Sequence, residues 1–263
     1  MKAALYQSNP IFGEKDKNLA HVAAAVKGAD VDILVLPEFF ATGYQFVTSA
    51  EVSELSEEVP GGETTRFLAE LSRDAGMHIV AGLPERAGGK YYNSAVITGP
   101  SGVIGLYRKS HLFFEEKLFF TSGDTGFKVW DTAIGRIGIM ICFDWFFPES
   151  MRTLAIAGAE VIAHPSNLVL PYCPQAMPIR CLENKVFSIT ANRIGVEART
   201  EGKPLTFIGR SLIASPEGSV LASAQEDQET LLIAEISPEL ARDKSITSLN
   251  DLFGDRRPDL YRL

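Results

Sequence analysis

The stretch NSAVITGPSGVIG at residues 93–105 has two short apolar runs joined by Gly-Pro-Ser-Gly, a pattern that predicts a β-hairpin. The stretch RSLIASPEGSVLA at residues 210–222 has the same order around Ser-Pro-Glu-Gly. A second echo precedes each hairpin, because GADVDILVLP at 28–37 is similar to GAEVIAHP at 158–165. The two halves of the chain are therefore predicted to be copies of one structural unit.

Apolar periodicity predicts the same order of strands and helices in both halves. In the first half, strands are expected over 2–7, 32–36, 78–83, 91–98 and 103–107, and helices over 17–27 and 64–75. In the second half, strands are expected over 136–142, 160–163, 188–191, 206–214 and 220–222, and helices over 149–157 and 179–186. This order predicts an α/β fold in which two sheets pack together under outer helices, an α-β-β-α sandwich with an internal pseudo-two-fold repeat.

The whole chain, residues 1–263, is expected to form a single domain. Residues 231–236 predict one further strand beyond the repeat. The last segment, 237–263, is too long to be a frayed end and carries Leu249, Leu252 and Phe253. We therefore expect this C-terminal tail to pack on a partner subunit.

The composition excludes several classes of function. Lys and Arg number 25 and Asp and Glu 33, a formal net charge of −8, so a basic surface for nucleic acid is not expected. The uncharged stretch from 161 to 179 is interrupted by prolines and does not predict a membrane span. The N-terminus lacks the apolar core of a signal peptide, so we expect a cytoplasmic protein.

Three cysteines, Cys142, Cys173 and Cys181, cannot all pair with one another, and their spacing is not that of a zinc site. Cys173 and Cys181 fit buried structural positions. Cys142 fits either a core residue or a nucleophile, because it closes an apolar strand and precedes a predicted helix. The dipole of such a helix would lower the pKa of the thiol.

Three reactive residues of different chemical types follow predicted strands, where functional groups gather in open α/β sheets. Glu38 lies among aromatic residues, which would raise the pKa of its carboxyl and suit a general base. Lys109 could stabilise a developing oxyanion. Taken singly, Glu38 also fits a solvated loop and Lys109 an exposed surface.

Together these residues resemble the nitrilase superfamily of carbon–nitrogen hydrolases. The resemblance is carried by LVLPEFFATGY around Glu38, YRKSHL around Lys109 and GIMICFDWFFPES around Cys142. EKLFFTSGD, YNSAV, HPSN and LENKVFSITANRIG extend it over nearly the whole chain. It implies the α-β-β-α sandwich, and a homodimer joined through helices into a four-layer αββα-αββα core.

The resemblance also implies roles for the site residues. Glu38 would act as general base, Cys142 as nucleophile, and Lys109 with the backbone N–H of Phe143 as oxyanion donors. Glu116 matches a second glutamate that the family places in the pocket, with Glu115 as the competing choice. No metal or organic cofactor is implied.

The residues after Cys142 bear on the substrate, which we expect to be a small-molecule amide or nitrile. Asp144 favours amides, because true nitrilases usually carry Glu at this position. Branches acting on carboxylate-bearing substrates place an Arg soon after that Asp, whereas this chain has aromatic residues. We therefore expect an amidase for a small amide without a carboxylate. A nitrilase for small aliphatic nitriles and an N-carbamoylputrescine-like amidohydrolase are the alternatives. The residues expected to bind substrate are Tyr44, Phe113, Trp145, Phe146 and Asn167.

Two rival interpretations come from other classes. A Cys-His hydrolase would use His111 or His164 as its base. A non-catalytic binding protein on the same fold is the other rival, although Glu38, Lys109 and Cys142 are all present.

Overall fold

The computed structural model describes residues 1–261. The strands are β1 (Lys2–Gln7), β2 (Ile33–Val35), β3 (His78–Ala87), β4 (Lys90–Gly99), β5 (Gly102–Arg108), β6 (Val129–Thr132), β7 (Gly135–Ile139), β8 (Val161–Pro165), β9 (Phe187–Ala191), β10 (Ile194–Glu197), β11 (Leu205–Ile208), β12 (Leu212–Ala214), β13 (Val220–Ser223), β14 (Thr230–Glu235), β15 (Ser245–Thr247) and β16 (Asn250–Asp251). The α-helices are α1 (Lys15–Val26), α2 (Ser49–Leu55), α3 (Glu63–Ala75), α4 (Glu116–Phe119), α5 (Pro148–Ile156) and α6 (Cys173–Asn184). Two 3₁₀ helices cover Cys142–Phe146 and Pro238–Arg242.

Twelve of the strands form two six-stranded sheets with the same internal order, and β10-β11 and β15-β16 form two small two-stranded sheets. One sheet runs β14-β1-β2-β3-β4-β5, and the other runs β6-β7-β8-β9-β12-β13. In each sheet three parallel strands (β1-β2-β3 and β7-β8-β9) continue into two antiparallel ones, and an antiparallel edge strand completes the other side. The pseudo-two-fold repeat expected from the hairpin echoes is therefore present in the topology.

Alternation along the strands sends their side chains into two cores. Ala3 and Leu5 of β1 share a core with Ile137 and Ile139 of β7, so the two sheets pack face to face. Ala4 and Tyr6 of the same strand pack instead with residues of α1 and α3. Residues of α5 and α6 cover the outer face of the second sheet. The α-β-β-α sandwich is confirmed, while its pairing into a four-layer dimer stays a prediction.

Several element boundaries differ from the sequence-based expectation. The single strand expected over 206–214 is wrong: β11 pairs with β10 in a separate two-stranded sheet, and β12 lies in the second large sheet. The chain turns between them because Gly209 and Arg210 both have positive φ, 57° and 54°. Helix α6 begins at Cys173 rather than 179: Pro174 lies in its first turn, where proline is tolerated, and the helix continues through Pro178. The strand expected to reach Cys142 ends at Ile139.

The C-terminal tail packs in part on its own chain. Pro238 and Ala241 are buried, and the ring of Phe253 lies under the cations of Arg152 and Lys244. Leu249 is 89% exposed, so packing of the rest of the tail on a partner stays a prediction, and residues 262–263 lie outside the described part of the chain. Exposed apolar side chains also lie on the two outer helices of the second half, namely Ile156, Ile179 and Leu182.

None of the helices in the described part of the chain combines the length and apolarity needed to cross a bilayer.

Candidate active site

The predicted reactive residues lie just beyond strands of both sheets. Glu38 follows β2 after Pro37, and Lys109 directly follows β5. Cys142 begins the 3₁₀ helix after β7, and Asn167 follows β8. The first sheet therefore supplies the acid and the amine, and the second supplies the sulfur and an amide.

Lys109 bridges two carboxylates. Its Nζ donates to Oε1 of Glu38 at 2.6 Å and to Oε1 of Glu116 at 2.7 Å. Lys109 and Glu38 are completely buried, and Glu116 is 5% exposed. A lysine buried with one carboxylate would form a neutral pair, so the second carboxylate adds one negative charge to this cluster whenever both glutamates are ionised. Of the two glutamates weighed from the sequence, Glu116 is the one that contacts Lys109.

Further donors fix both carboxylates. Nδ2 of Asn93 donates to Oε1 of Glu38 at 2.6 Å, and the Tyr44 hydroxyl donates to Oε1 of Glu116 at 2.7 Å. The backbone N–H of Phe113 donates to the other Glu116 oxygen at 3.2 Å. Oε2 of Glu38, in contrast, is buried and has no hydrogen-bond partner within residues 1–261. One Glu38 oxygen is thus held in place, and the other is free to accept a proton.

Burial dominates the electrostatics of this cluster. It raises the pKa of Glu38 from 4.5 to about 7, because the lowering by Lys109 is partly offset by the charge of Glu116. Burial alone would lower the pKa of Lys109, but the carboxylates of Glu116 and Glu38 outweigh it and hold that pKa above its ordinary value. At neutral pH Lys109 is therefore a cation, and both the protonated and the ionised form of Glu38 are populated.

Cys142 has a strained backbone conformation, and the charges of the cluster act on its thiol. Its φ is 41°, in the left-handed region that non-glycine residues seldom adopt and that often marks active sites. Burial raises the pKa of its thiol well above the ordinary value, Glu38 raises it further, and Lys109 opposes this. The net effect is opposite to the helix-dipole effect expected from the sequence, because a short 3₁₀ helix does not offset full burial. The resting residue is a thiol that needs a base.

Two buried groups hold the backbone around Cys142. His164 binds the Cys142 carbonyl oxygen through Nε2 at 2.9 Å, and burial lowers the pKa of His164 to about 4, so its ring is neutral. The Asp144 carboxylate accepts hydrogen bonds from the backbone N–H of Ile141 at 2.9 Å and from the Tyr107 hydroxyl at 2.7 Å. The strained turn is thus held from both sides.

The same contacts bear on the Cys-His interpretation. His164 faces the carbonyl of Cys142, and Nδ1 of His111 lies 2.7 Å from Oδ1 of Asp144. The His111 ring is stacked on Phe147 with centroids 3.7 Å apart. Both imidazoles therefore help to hold the backbone around Cys142, His164 directly and His111 through Asp144. This geometry does not favour a Cys-His catalytic pair.

A largely apolar cavity opens at Cys142. Its lining comprises Phe113, Cys142, Phe143, Trp145, Phe146, Asn167, Leu168, Val169 and Leu170. Four of the five residues expected to bind substrate are in this set. Tyr44 is not in it: its hydroxyl donates to Glu116 and its ring packs on Phe39 and Phe207, so its contact with substrate stays a prediction.

Two polar groups of the cavity wall are available to form hydrogen bonds with a ligand. Phe143 is the second residue of its 3₁₀ helix, and N–H groups in a first turn have no acceptor within the helix. Nδ2 of Asn167 donates to the Glu38 carbonyl oxygen at 2.8 Å. Oδ1 of Asn167 is buried with no partner in the described part of the chain. The cavity therefore offers a donor and an acceptor near the sulfur.

The other two cysteines are core residues of α6. Cys173 and Cys181 are fully buried among apolar side chains, and Cys181 contacts the Ser188 hydroxyl. Within residues 1–261 there is also no cluster of His, Cys, Asp or Glu that could hold a metal ion.

Sequence reasoning missed Asn93, His164 as a backbone anchor, and the structural role of Asp144. Asn93 lies in YNSAV and His164 in HPSN, both quoted for the resemblance without a role. Their partners are far away in sequence, 55 residues for Asn93 and Glu38. Only motif membership could have drawn attention to them.

The sequence and fold comparisons agree with this arrangement. Residues 2–244 match the family model described as Carbon-nitrogen hydrolase, and the chain belongs to this family. The resemblance to the nitrilase superfamily is thereby confirmed, and the protein is a hydrolase acting on carbon–nitrogen bonds.

Named relatives point to more than one substrate class. The chain is 53% identical to a "Nitrilase" of Pyrococcus abyssi, over 99% of both chains. It is 34% identical to an "N-carbamoylputrescine amidase" of Solanum lycopersicum, over 92% of this chain and 85% of the relative. The fold matches the crystal structure of a carbon-nitrogen hydrolase from Helicobacter pylori G27 with a TM-score of 0.88 and 28% identity, covering 99% of this chain and 97% of that one.

Proposed function

We propose that the protein is a cysteine-dependent amidase that hydrolyses a small amide without a carboxylate to an acid and ammonia. The observation that carries the proposal is the buried Glu38 carboxyl. Lys109 and Asn93 bind its Oε1, while its Oε2 has no partner within residues 1–261. This carboxyl has a pKa of about 7 and one free oxygen, and its charge acts on the buried thiol of Cys142. These properties suit general-base catalysis.

Acylation uses the thiol as nucleophile. Glu38 takes the proton of Cys142 as the sulfur attacks the amide carbonyl carbon. The oxyanion that forms is stabilised by the Lys109 ammonium and the backbone N–H of Phe143. Glu38 then delivers the proton to the amide nitrogen, the C–N bond breaks, and ammonia leaves. A thioester on Cys142 and an ionised Glu38 remain.

Deacylation repeats these steps with water. Glu38 takes a proton from water, and the resulting hydroxide attacks the thioester carbon. The C–S bond breaks, the acid departs, and the proton on Glu38 returns to the sulfur. Glu116 supports both half-reactions by keeping Lys109 charged and in place, because its Oε1 lies 2.7 Å from Nζ. No metal or organic cofactor takes part in this scheme.

The cavity wall supports an uncharged acyl group. The side chains in its lining carry no formal charge. A substrate carboxylate would lose its hydration here without gaining an arginine, and the amine of a carbamoylputrescine-like substrate would find no acid in this lining. The cavity therefore disfavours both charged alternatives.

Asn167 favours amides over nitriles. An amide nitrogen can donate to the unpartnered Oδ1 of Asn167, whereas a nitrile has no hydrogen to donate. Asp144, the residue that suggested amides from the sequence, gives its carboxylate to Ile141, Tyr107 and His111. The preference for amides is therefore argued from Asn167. A nitrilase is the second candidate, because the relative at 53% identity bears that name.

Ammonia release from matched pairs of aliphatic amides and nitriles tests the proposal. The panel runs from two to five carbons and includes one carboxylate-bearing amide and N-carbamoylputrescine. We expect hydrolysis of the uncharged amides and loss of turnover in Glu38→Gln. Preference for nitriles, preference for either charged substrate, or full activity in Glu38→Gln would contradict it.

A further inference from the structure

A small two-stranded sheet outside the sandwich contacts the loop that follows Glu38, at Tyr44 and Gln45. Strands β10 and β11 pair antiparallel from Ile194 with Ile208 to Glu197 with Leu205. The motif that opens β10, part of LENKVFSITANRIG, has no role in the reaction proposed above. Two charged residues of this region are almost wholly buried: Arg193, directly before β10, is 1% exposed, and Glu197, at the end of β10, is 6% exposed.

Glu197 binds the backbone of the loop at Tyr44 and Gln45. Its carboxylate accepts the N–H of Tyr44 at 3.1 Å and that of Gln45 at 2.6 Å. Gly43 permits this approach: its φ is 80°, and a Cβ there would lie 3.0 Å from the Glu197 carboxylate and 2.8 Å from the backbone of Phe12. The loop is thus shaped to receive this carboxylate.

Arg193 holds Glu197 in position. The guanidinium pairs with the Glu197 carboxylate and donates to the carbonyl oxygen of Pro10 at 3.1 Å. It also lies over the ring of Phe207, 4.1 Å from the centroid, and that ring packs edge-on against Tyr44. The buried pair therefore constrains both the backbone and the ring of Tyr44.

Tyr44 connects this pair to the reaction centre. Its hydroxyl donates to Oε1 of Glu116, the same oxygen that binds Lys109. A change in the backbone at Tyr44 would move this hydroxyl, because the tyrosine ring is rigid beyond its two side-chain torsions. Glu116 would then lose the side-chain donor that shares its Oε1 with Lys109, while the backbone N–H of Phe113 would still bind the other oxygen.

We propose that Glu197, held by Arg193, is a positioning residue that fixes Tyr44 so that Glu116 stays on Lys109. This role rests on the proposed amidase reaction. Stability alone does not explain the buried pair of Arg193 and Glu197, because apolar residues of similar size could pack there as well. The positioning role does explain it.

Displacing Glu116 has a consequence that a purely structural defect lacks. The titratable and charged groups at the centre are Glu38, Glu116, Lys109, Cys142 and Tyr44. Glu116 raises the pKa of Glu38 through its charge, and Lys109 lowers it. When Glu116 moves away, Lys109 pairs with Glu38 alone, and both effects lower the pKa of Glu38. The acidic limb of the pH profile should therefore move to lower pH.

The test compares Glu197→Gln, Tyr44→Phe and their double variant with wild type. The matched control is Glu51→Gln, because Glu51 also accepts a backbone N–H of this loop, that of Val47 at 2.9 Å, and pairs with an arginine of the same segment, Arg199 at 2.7 Å. Glu197→Asp keeps the charge that Arg193 needs and retracts the carboxylate, so it takes the test if Glu197→Gln does not fold.

We expect each single variant to lower kcat on the order of tenfold and to shift the acidic limb of kcat/KM down by about half a pH unit. The double variant should behave like either single one, because both changes act through the same hydroxyl. Glu51→Gln should leave the limb in place. Multiplying effects in the double variant, an unmoved limb in Glu197→Gln or Glu197→Asp, or an equal shift in Glu51→Gln would each overturn the proposal.

The rate at which iodoacetamide alkylates Cys142, measured against pH, reports the same acidic limb without any substrate. A wild-type protein that fails to release ammonia from amides would contradict the proposed function. The alkylation profiles of the four variants would still decide the role of Glu197. The two failures are thereby distinguishable.

Discussion

Glu38→Gln should make the protein more stable at neutral pH while abolishing turnover. Burial raises the pKa of Glu38 to about 7 in the folded protein, whereas in the unfolded chain it stays near 4.5. Between these values the folded state binds the proton that the unfolded state has lost, so stability falls as pH rises through this window. Glutamine has the size of the protonated acid and does not ionise, so the variant lacks this fall.

The size of the effect follows from the pKa. A rise from 4.5 to about 7 corresponds to about 3 kcal/mol of unfolding free energy lost on ionisation. For a domain of this size that is about 6 to 10 °C in Tm. The difference between variant and wild type should be near zero at pH 4.5 and reach its full size above pH 7.

Urea unfolding at half-unit steps between pH 4.5 and 8 measures this difference. Cys142→Ala is the control, because it removes the nucleophile without changing the charge of Glu38 and should keep most of the wild-type slope. Equal slopes for Glu38→Gln and wild type would refute the reasoning that a buried carboxylate is ionised here at the expense of stability.

Further predictions concern the cavity, the cysteine turn and the assembly. Asn167→Leu should lower kcat/KM for amides about tenfold more than for nitriles, measured on matched pairs, because only the amide loses an acceptor. Trp145→Ala should shift preference toward longer acyl chains in the same assay, since the lining residue is cut back. Asp144→Asn should cost about 1–3 kcal/mol in denaturant unfolding, because one amide oxygen replaces an acceptor pair that serves four donors. Leu182→Glu should reduce a homodimer to monomer in light scattering, because it charges an exposed apolar helix face; a dimer unaffected by the change would place the interface elsewhere.

Local patterns predicted most of the fold. Hairpin turns and apolar periodicity depend on near neighbours in sequence, so the duplicated strands and the outer helices were found. The two-stranded sheet of β10 and β11 was missed, because residues 206–214 were expected to form one strand, whereas the backbone turns at Gly209 and Arg210. The glycine, arginine and serine at 209–211 interrupt the apolar pattern there and are the local signal of that break.

The site was predicted as far as residue type and strand position allow. Glu38, Lys109 and Cys142 stood out because each is reactive and follows a strand. Asn93 and Glu197 did not, since a lone asparagine and a lone glutamate in strands acquire their roles only through distant partners. Tyr44 was expected at the substrate because aromatic residues are common in cavities, and nothing in the sequence indicates that its hydroxyl binds Glu116.

Mass spectrometry of the protein quenched during turnover tests the central claim most directly. We expect one acyl group, retained on the peptide that contains Cys142, in wild type supplied with a hydrolysed amide, and neither adduct nor turnover in Cys142→Ala. Turnover that persists in Cys142→Ala, or an acyl group on any other residue, would contradict the account.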